Sequence, residues 1–339
     1  MIVRKSVNLR GLIEFAGFHI IWISTYVILV AVLYQVVGWT WVAIPWVPVS
    51  LIGTAVAFYL GFKNSQSYDR LWEARKIWGG IVNSSRSWGA MVNASIRSNE
   101  ISEYEIKEIK TQLIYRHIAW LYTLREQLLV PTQWEHVSLR RHFGTINIKR
   151  RDQYGIGLYA EYLSPKQIND YFSDKKLWEN TVNNATQIIN IQTKTLADLQ
   201  EHKKVDLFHQ IELQKILSDF FVFQGQAERI KKFPFPRQYA NSSFVLNIMF
   251  IFLLPLGLVA EFSKLGDYGV WIMIPFAIIV CWVYVMMELV GDYSENPFEG
   301  LMNDIPMLSM CRTIEIDLLE ILGETDLPKP IQPINDILL

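Results

Sequence analysis

The chain has 339 residues, 51% of them apolar and 19% charged, with 12 tryptophans and a formal net charge of −1. That charge balance gives no reason to invoke nucleic acid as a partner, and the mixture of apolar and charged residues describes a membrane protein with a large water-exposed part. Two cysteines, Cys281 and Cys311, one in an apolar run and one near the C-terminal end, argue against a disulfide framework.

Arg4, Lys5 and Arg10 open the chain, and from Phe15 to Phe62 there is no Asp, Glu, Lys or Arg. One membrane span takes about 20 residues, so this stretch predicts two spans and a turn. The turn is GWTWVAIPWVPVS, where Trp39, Trp41 and Trp46 suit an interface belt and Pro45 and Pro48 suit a helix start. The first run is too long for a cleaved signal and lacks a small-residue cleavage site.

The second span carries two neighbouring stripes at helical spacing. Gly53, Ala57 and Gly61 make one face small enough for another helix backbone to approach. Thr54, Phe58 and Phe62 form the adjoining strip. Phenylalanines on a membrane helix ordinarily face lipid or a packed bundle; several copies around an axis would instead turn the strip into a ring of aromatics and a hydrophobic constriction. From Lys63 the same helix runs on, charged and without proline, to Trp88. A helix that leaves lipid and continues into water joins a membrane part to a soluble part. Asp69, Arg70, Glu73, Arg75 and Lys76 follow at once, either as helix-surface ion pairs or as a charged vestibule that biases which ions arrive. The acids offset the bases, so these residues do not decide the sign.

Between Lys63 and Arg237 the apolar residues keep a helical period: Ile106, Ile109, Leu113, Ile114, Ile118, Leu121, Leu124 and Leu128 on one helix, Leu207, Ile211, Ile216 and Phe220 on another. Helices are predicted at about 64–98, 103–129, 164–172, 174–203 and 205–231. Ser164 before Pro165 and Ser173 before Asp174 read as N-caps, and Pro131, Pro234 and Pro236 read as stops. Val137 to Tyr159, with Gly144, Gly155, Gly157 and the basic KRRD, is the least defined piece.

Gln238–Ala260 and Tyr268–Met287 are again free of charge and predict a third and fourth span. Four spans put both termini on one side, and the basic residues cluster there, so termini and middle segment are expected in the cytoplasm. The Asn-x-Ser/Thr matches at Asn83, Asn93, Asn184 and Asn241 fall on that side and would stay unglycosylated. The division is then 1–62 for the N-terminal segment and spans one and two, 63–237 for a helical cytoplasmic domain, 238–290 for spans three and four, and 291–339 for a cytoplasmic tail.

No catalytic constellation stands out. GGIVNSSRSWG lacks the lysine and strand of a phosphate loop, and His117, His136, His142, His202 and His209 read as core or surface histidines, so no enzyme activity, cofactor or metal is expected. A secondary transporter would show broken helices and charge inside its spans. Two readings remain: a passive channel for small monovalent ions, and a membrane-anchored helical scaffold or signalling protein, which leaves the Thr54, Phe58, Phe62 strip without a purpose.

YLGFKNSQSYDRLWEARKIWGG from Tyr59, then FQGQAERIKKFPFPRQYA and NPFEG, resemble the bestrophin family in its bacterial branch, in the same order along nearly the whole chain. The resemblance implies an all-α homopentamer around a central pore, with Thr54, Phe58 and Phe62 at the neck and no cofactor. It also implies a second, cytosolic aperture, with Phe208 the aligned residue and Leu207 or Ile211 the shifts of register. Animal members conduct chloride, whereas sodium or potassium selectivity is possible in the bacterial branch. The partially positive edges of aromatic rings offer an anion a route without a cationic side chain. Two departures are visible: Leu71 where a second tryptophan is usual, and Thr54 where an aliphatic residue is usual. Animal members also have a calcium clasp after Asn-Pro-Phe. Here Asn296, Pro297 and Phe298 are followed by Glu299, Gly300, Leu301, Met302, Asn303 and Asp304, too few oxygens for an ion that takes six to eight, so no calcium gating is expected.

Overall fold

The computed structural model describes residues 1–3, 9–97, 102–136, 159–266, 268–334 and 336–339. Arg4, Lys5, the side chain of Arg10, His142, Gly144, Gly155, Gly157 and the KRRD run lie outside the described residues.

The architecture is all-α. Nine α-helices occur among the described residues: α1 (Leu9–Gln35), α2 (Trp46–Ser95), α3 (Glu103–Leu129), α4 (Pro165–Tyr171), α5 (Asn184–Glu201), α6 (Leu207–Lys232), α7 (Arg237–Phe262), α8 (Gly269–Asp292) and α9 (Met307–Leu322). Among the described residues four helical segments are long and apolar enough to cross a membrane: Phe15–Gln35, Thr40–Ser95, Arg237–Leu265 and Gly269–Asp292.

The 50 residues of α2 form one uninterrupted helix, about 75 Å long at 1.5 Å per residue. Two apolar cores share it. At its first half Val49, Val56 and Leu60 pack with Ile23 and Val27 of α1, Ile251 of α7, and Met273 and Ala277 of α8. At its second half Trp78, Ile81 and Trp88 pack with Leu121 of α3, Ile188 of α5, Leu217 and Phe220 of α6, and Leu318 of α9. The switch from an apolar to a charged sequence therefore leaves the helix intact and changes only its neighbours.

Side-chain caps set several helix starts. Ser102 accepts from the N–H of Glu105 at α3, and Ser164 forms a reciprocal capping box with Gln167 ahead of Pro165 at α4. The predicted 174–203 helix needs correction. Its first part is a 3₁₀ turn, Lys175–Leu177, and α5 begins only at Asn184, where Asn183 accepts from the N–H of Thr186. Buried Trp178 anchors the intervening turn.

Leu207, Ile211, Ile216 and Phe220 do share one helix, α6, whose buried side is Leu213, Leu217, Phe220, Ala227 and Ile230; Ile216 is half-buried, while Leu207 and Ile211 are exposed. The last segment, read from sequence only as a tail, contains α9, which buries Leu308, Cys311, Ile314 and Leu318 against α2 and α3 and stops at Gly323 in the left-handed conformation, φ 79°. Beyond it the chain returns to its own beginning: the Val3 N–H donates to the Asp336 carbonyl and the Leu338 N–H to the Met1 carbonyl.

Candidate functional site

The two neighbouring stripes of α2 meet different surroundings. Gly53 lies against α7, where a Cβ would stand 2.5 Å from the Phe250 ring, and its carbonyl accepts from the Tyr284 hydroxyl at 3.0 Å. The small residue thus admits an aromatic ring of the same chain rather than a neighbouring backbone. Nothing lies within 4 Å of where a Gly61 Cβ would be. On the adjoining strip Thr54, Phe58 and Phe62 point away from the bundle. Phe58 is 65% and Phe62 63% exposed, and the Thr54 hydroxyl is turned back to the Ser50 carbonyl at 2.9 Å, a bond that satisfies a polar group on an apolar helix.

Where α2 passes from apolar to charged sequence, the structure joins it to α7 and α8. Lys63 is only 1% exposed, and its Nζ is 2.5 Å from Glu288 Oε1 of α8. The Ser243 hydroxyl of α7 donates to the other carboxylate oxygen at 2.8 Å. Sequence reasoning read Lys63 as the point where the helix becomes charged and passed over Glu288. The available signal was positional: the first charge after one long apolar run and the first after another, of opposite sign.

The vestibule candidates separate about two turns further on. Arg70 is committed within the chain, its Nε donating to the Glu295 carbonyl at 2.9 Å and its Nη2 to the Phe233 carbonyl at 2.9 Å and the Ile230 carbonyl at 3.2 Å. The Ile230 and Phe233 carbonyls lie at the C-terminal end of α6, where a cation is favoured, and the Glu295 carbonyl lies just past the end of α8. Glu73 accepts from Arg229 at 2.6 Å on the surface. Asp69, Arg75 and Lys76 are exposed and make no ion pair among the described residues.

The segment after Asn296–Pro297–Phe298 is held by protein groups. Glu299 accepts from the backbone N–H and the imidazole Nδ1 of His136, whose Nε2 lies 3.0 Å from Asp292 and whose ring stacks on Tyr293. Lys231 pairs with Glu135, and Arg237 with Glu295 at 3.1 Å. The Asp304 carboxylate accepts from the N–H groups of Phe298, Gly300 and Ile305. Burial works against charge on His136, but its hydrogen bonds to Asp292 and Glu299 outweigh that and raise its pKa to about 10. Among the described residues no group of three or more His, Cys, Asp or Glu could hold a metal ion.

His117 is a core histidine. It bonds the Ser85 hydroxyl at 2.9 Å and stacks on Trp120, and burial lowers its pKa to about 3, leaving it neutral. His202 and His209 are on the surface. Phe208 stands at the start of α6, its N–H capped by Asp206 at 2.9 Å. It is 77% exposed, more than Leu207 or Ile211.

The family described as Bacterial/Fungal Bestrophin protein matches residues 6–320. The chain belongs to this bestrophin family. Among bestrophins and their relatives, it is 25% identical over 306 residues to the voltage-dependent anion channel-forming protein YneE of Escherichia coli, covering 90% of this chain and 86% of that one. A voltage-dependent anion channel-forming protein of a Nostoc species is 24% identical over 317 residues, 91% of this chain and 87% of that one. The crystal structure of a bacterial bestrophin homologue from Klebsiella pneumoniae superposes with a TM-score of 0.70 over 91% of this chain and 98% of its own, at 21% identity.

Proposed function

We propose that this bestrophin is one subunit of a homopentameric channel that passes small monovalent ions passively across a bacterial inner membrane, with its termini and α3–α6 in the cytoplasm. The observation that carries the reading is the exposure of Phe58 and Phe62, in line with exposed Thr54, on the side of α2 opposite buried Val56 and Leu60. In a pentamer with α2 nearest the axis, Thr54, Phe58 and Phe62 become a neck that controls passage by dewetting. The two relatives named as voltage-dependent anion channel-forming proteins favour anions; chloride, sodium and potassium are the candidate ions. Phe208 is the proposed cytosolic aperture, and Asp69, Arg70 and Glu73 flank the route, with Arg70 and Glu73 tied into contacts of their own chain.

Planar-bilayer recording of the purified oligomer under a KCl gradient tests this. Replacing Phe58 and Phe62 with Ala is expected to raise conductance or open probability. Silent bilayers from well-assembled oligomers, with and without those substitutions, would favour the membrane-anchored scaffold instead.

A further inference from the structure

We infer that the sign of the permeant ion is set by Asp69 and Lys76, a carboxylate and an ammonium on the same strip of α2 as the neck phenylalanines, Asp69 restraining anions and Lys76 drawing them. The inference rests on the pore reading above.

Because α2 is unbroken from Trp46 to Ser95, directions on its surface follow from about 100° per residue. Measured from Phe58, Thr54 and Phe62 lie about 40° to either side, Asp69 about 20° away, and Lys76 in line. Arg75 lies about 100° round the helix, off the strip. Along the axis Asp69 is about 10 Å beyond Phe62 and Lys76 about 10 Å further, seven residues each at 1.5 Å.

Of the charged residues on this stretch of α2, the structure removes three from contention. Lys63 is buried on Glu288, Arg70 is spent on three carbonyls, and Glu73 is paired with Arg229. Asp69, Arg75 and Lys76 stay exposed without an ion pair among the described residues, and only Asp69 and Lys76 share the direction of the phenylalanines. Copies of the chain around an axis turn each into a ring, acidic rings being the device that favours cations and basic rings the one that favours anions. Their separation of about 10 Å matches the screening length at 0.1 M salt. The two rings therefore act at separate depths, and Asp69, nearer the neck, governs its inner mouth.

The test is the reversal potential of the full-length assembled channel under a KCl gradient, at about 0.03 M and about 1 M mean salt. Asp69→Asn, with Asp69→Ser as a second substitution, is expected to raise the chloride-to-potassium permeability ratio about threefold or more at low salt. Lys76→Gln is expected to lower it comparably. Both shifts should shrink at about 1 M, where charges are screened within about 3 Å, and Arg75→Gln should leave the ratio unchanged. Conducting channels whose ratio ignores Asp69 and Lys76, or follows Arg75 equally, would overturn the assignment while leaving the pore in place. Absence of current from every form would instead remove the pore itself.

Discussion

Replacing Lys63 with methionine is expected to destabilise the assembled protein strongly. Methionine keeps most of the volume, but the Glu288 carboxylate stays buried with only the Ser243 hydroxyl as partner. Removing one member of a buried ion pair costs about 3–5 kcal/mol, because the remaining charge is uncompensated. At about 2–4 °C per kcal/mol for a sizeable domain, the melting temperature should fall by on the order of 10 °C. Replacing both partners, as Lys63→Met with Glu288→Met, removes the stranded charge and should recover most of that loss. The assay is a double-mutant cycle read by thermal unfolding of the purified oligomer, with Ser243→Ala as a third arm expected to cost about 1.5–3 kcal/mol for one hydrogen bond to a charged group. A double variant as unstable as the sum of the two singles would refute the pairing argument, as would a Lys63→Met protein that melts like the parent.

Gly53→Ala places a methyl 2.5 Å from the Phe250 ring, and such overpacking is expected to cost about 1–3 kcal/mol; Phe250→Leu in the same chain should restore part of the melting temperature, and lack of any rescue would point to a different contact. The pKa of His136, raised to about 10, means that the folded state holds its proton more tightly than the unfolded chain, whose imidazole titrates near 6.5. Its stabilisation is therefore fully present below about pH 6.5 and is lost as pH rises through about 10. Melting curves of parent and His136→Gln protein should accordingly converge between those limits, and a constant gap would contradict the linkage. Calcium at physiological concentration is expected to leave currents unchanged and to give no saturable binding by titration calorimetry, because Glu299 and Asp304 are engaged by protein donors; a tight site would overturn that.

The four spans, the unbroken run of α2 past the lipid, and the chemistry of its Thr54, Phe58, Phe62 strip were all legible in the sequence. Each depends on local rules: the length of a charge-free run, the absence of proline, and a period near 3.6. Even the capping box at Ser164 could be read in advance, since its partners are three residues apart.

What only the tertiary structure decided involves partners far apart in the chain. Lys63 and Glu288 are separated by 225 positions, so neither could be recognised as a buried pair from its own neighbourhood. Arg70 carries the same charge as Lys76 and stands six residues away, yet one is held by the carbonyls of Ile230, Phe233 and Glu295 while the other is exposed. The α9 helix was hidden for a related reason: it is one short amphipathic piece whose value lies in the groove that α2 and α3 offer it. Composition and period report what each segment can bury or expose. Which charges face a passing ion is settled by packing, because a distant donor, acceptor or counter-charge within hydrogen-bond reach fixes where a charged side chain points.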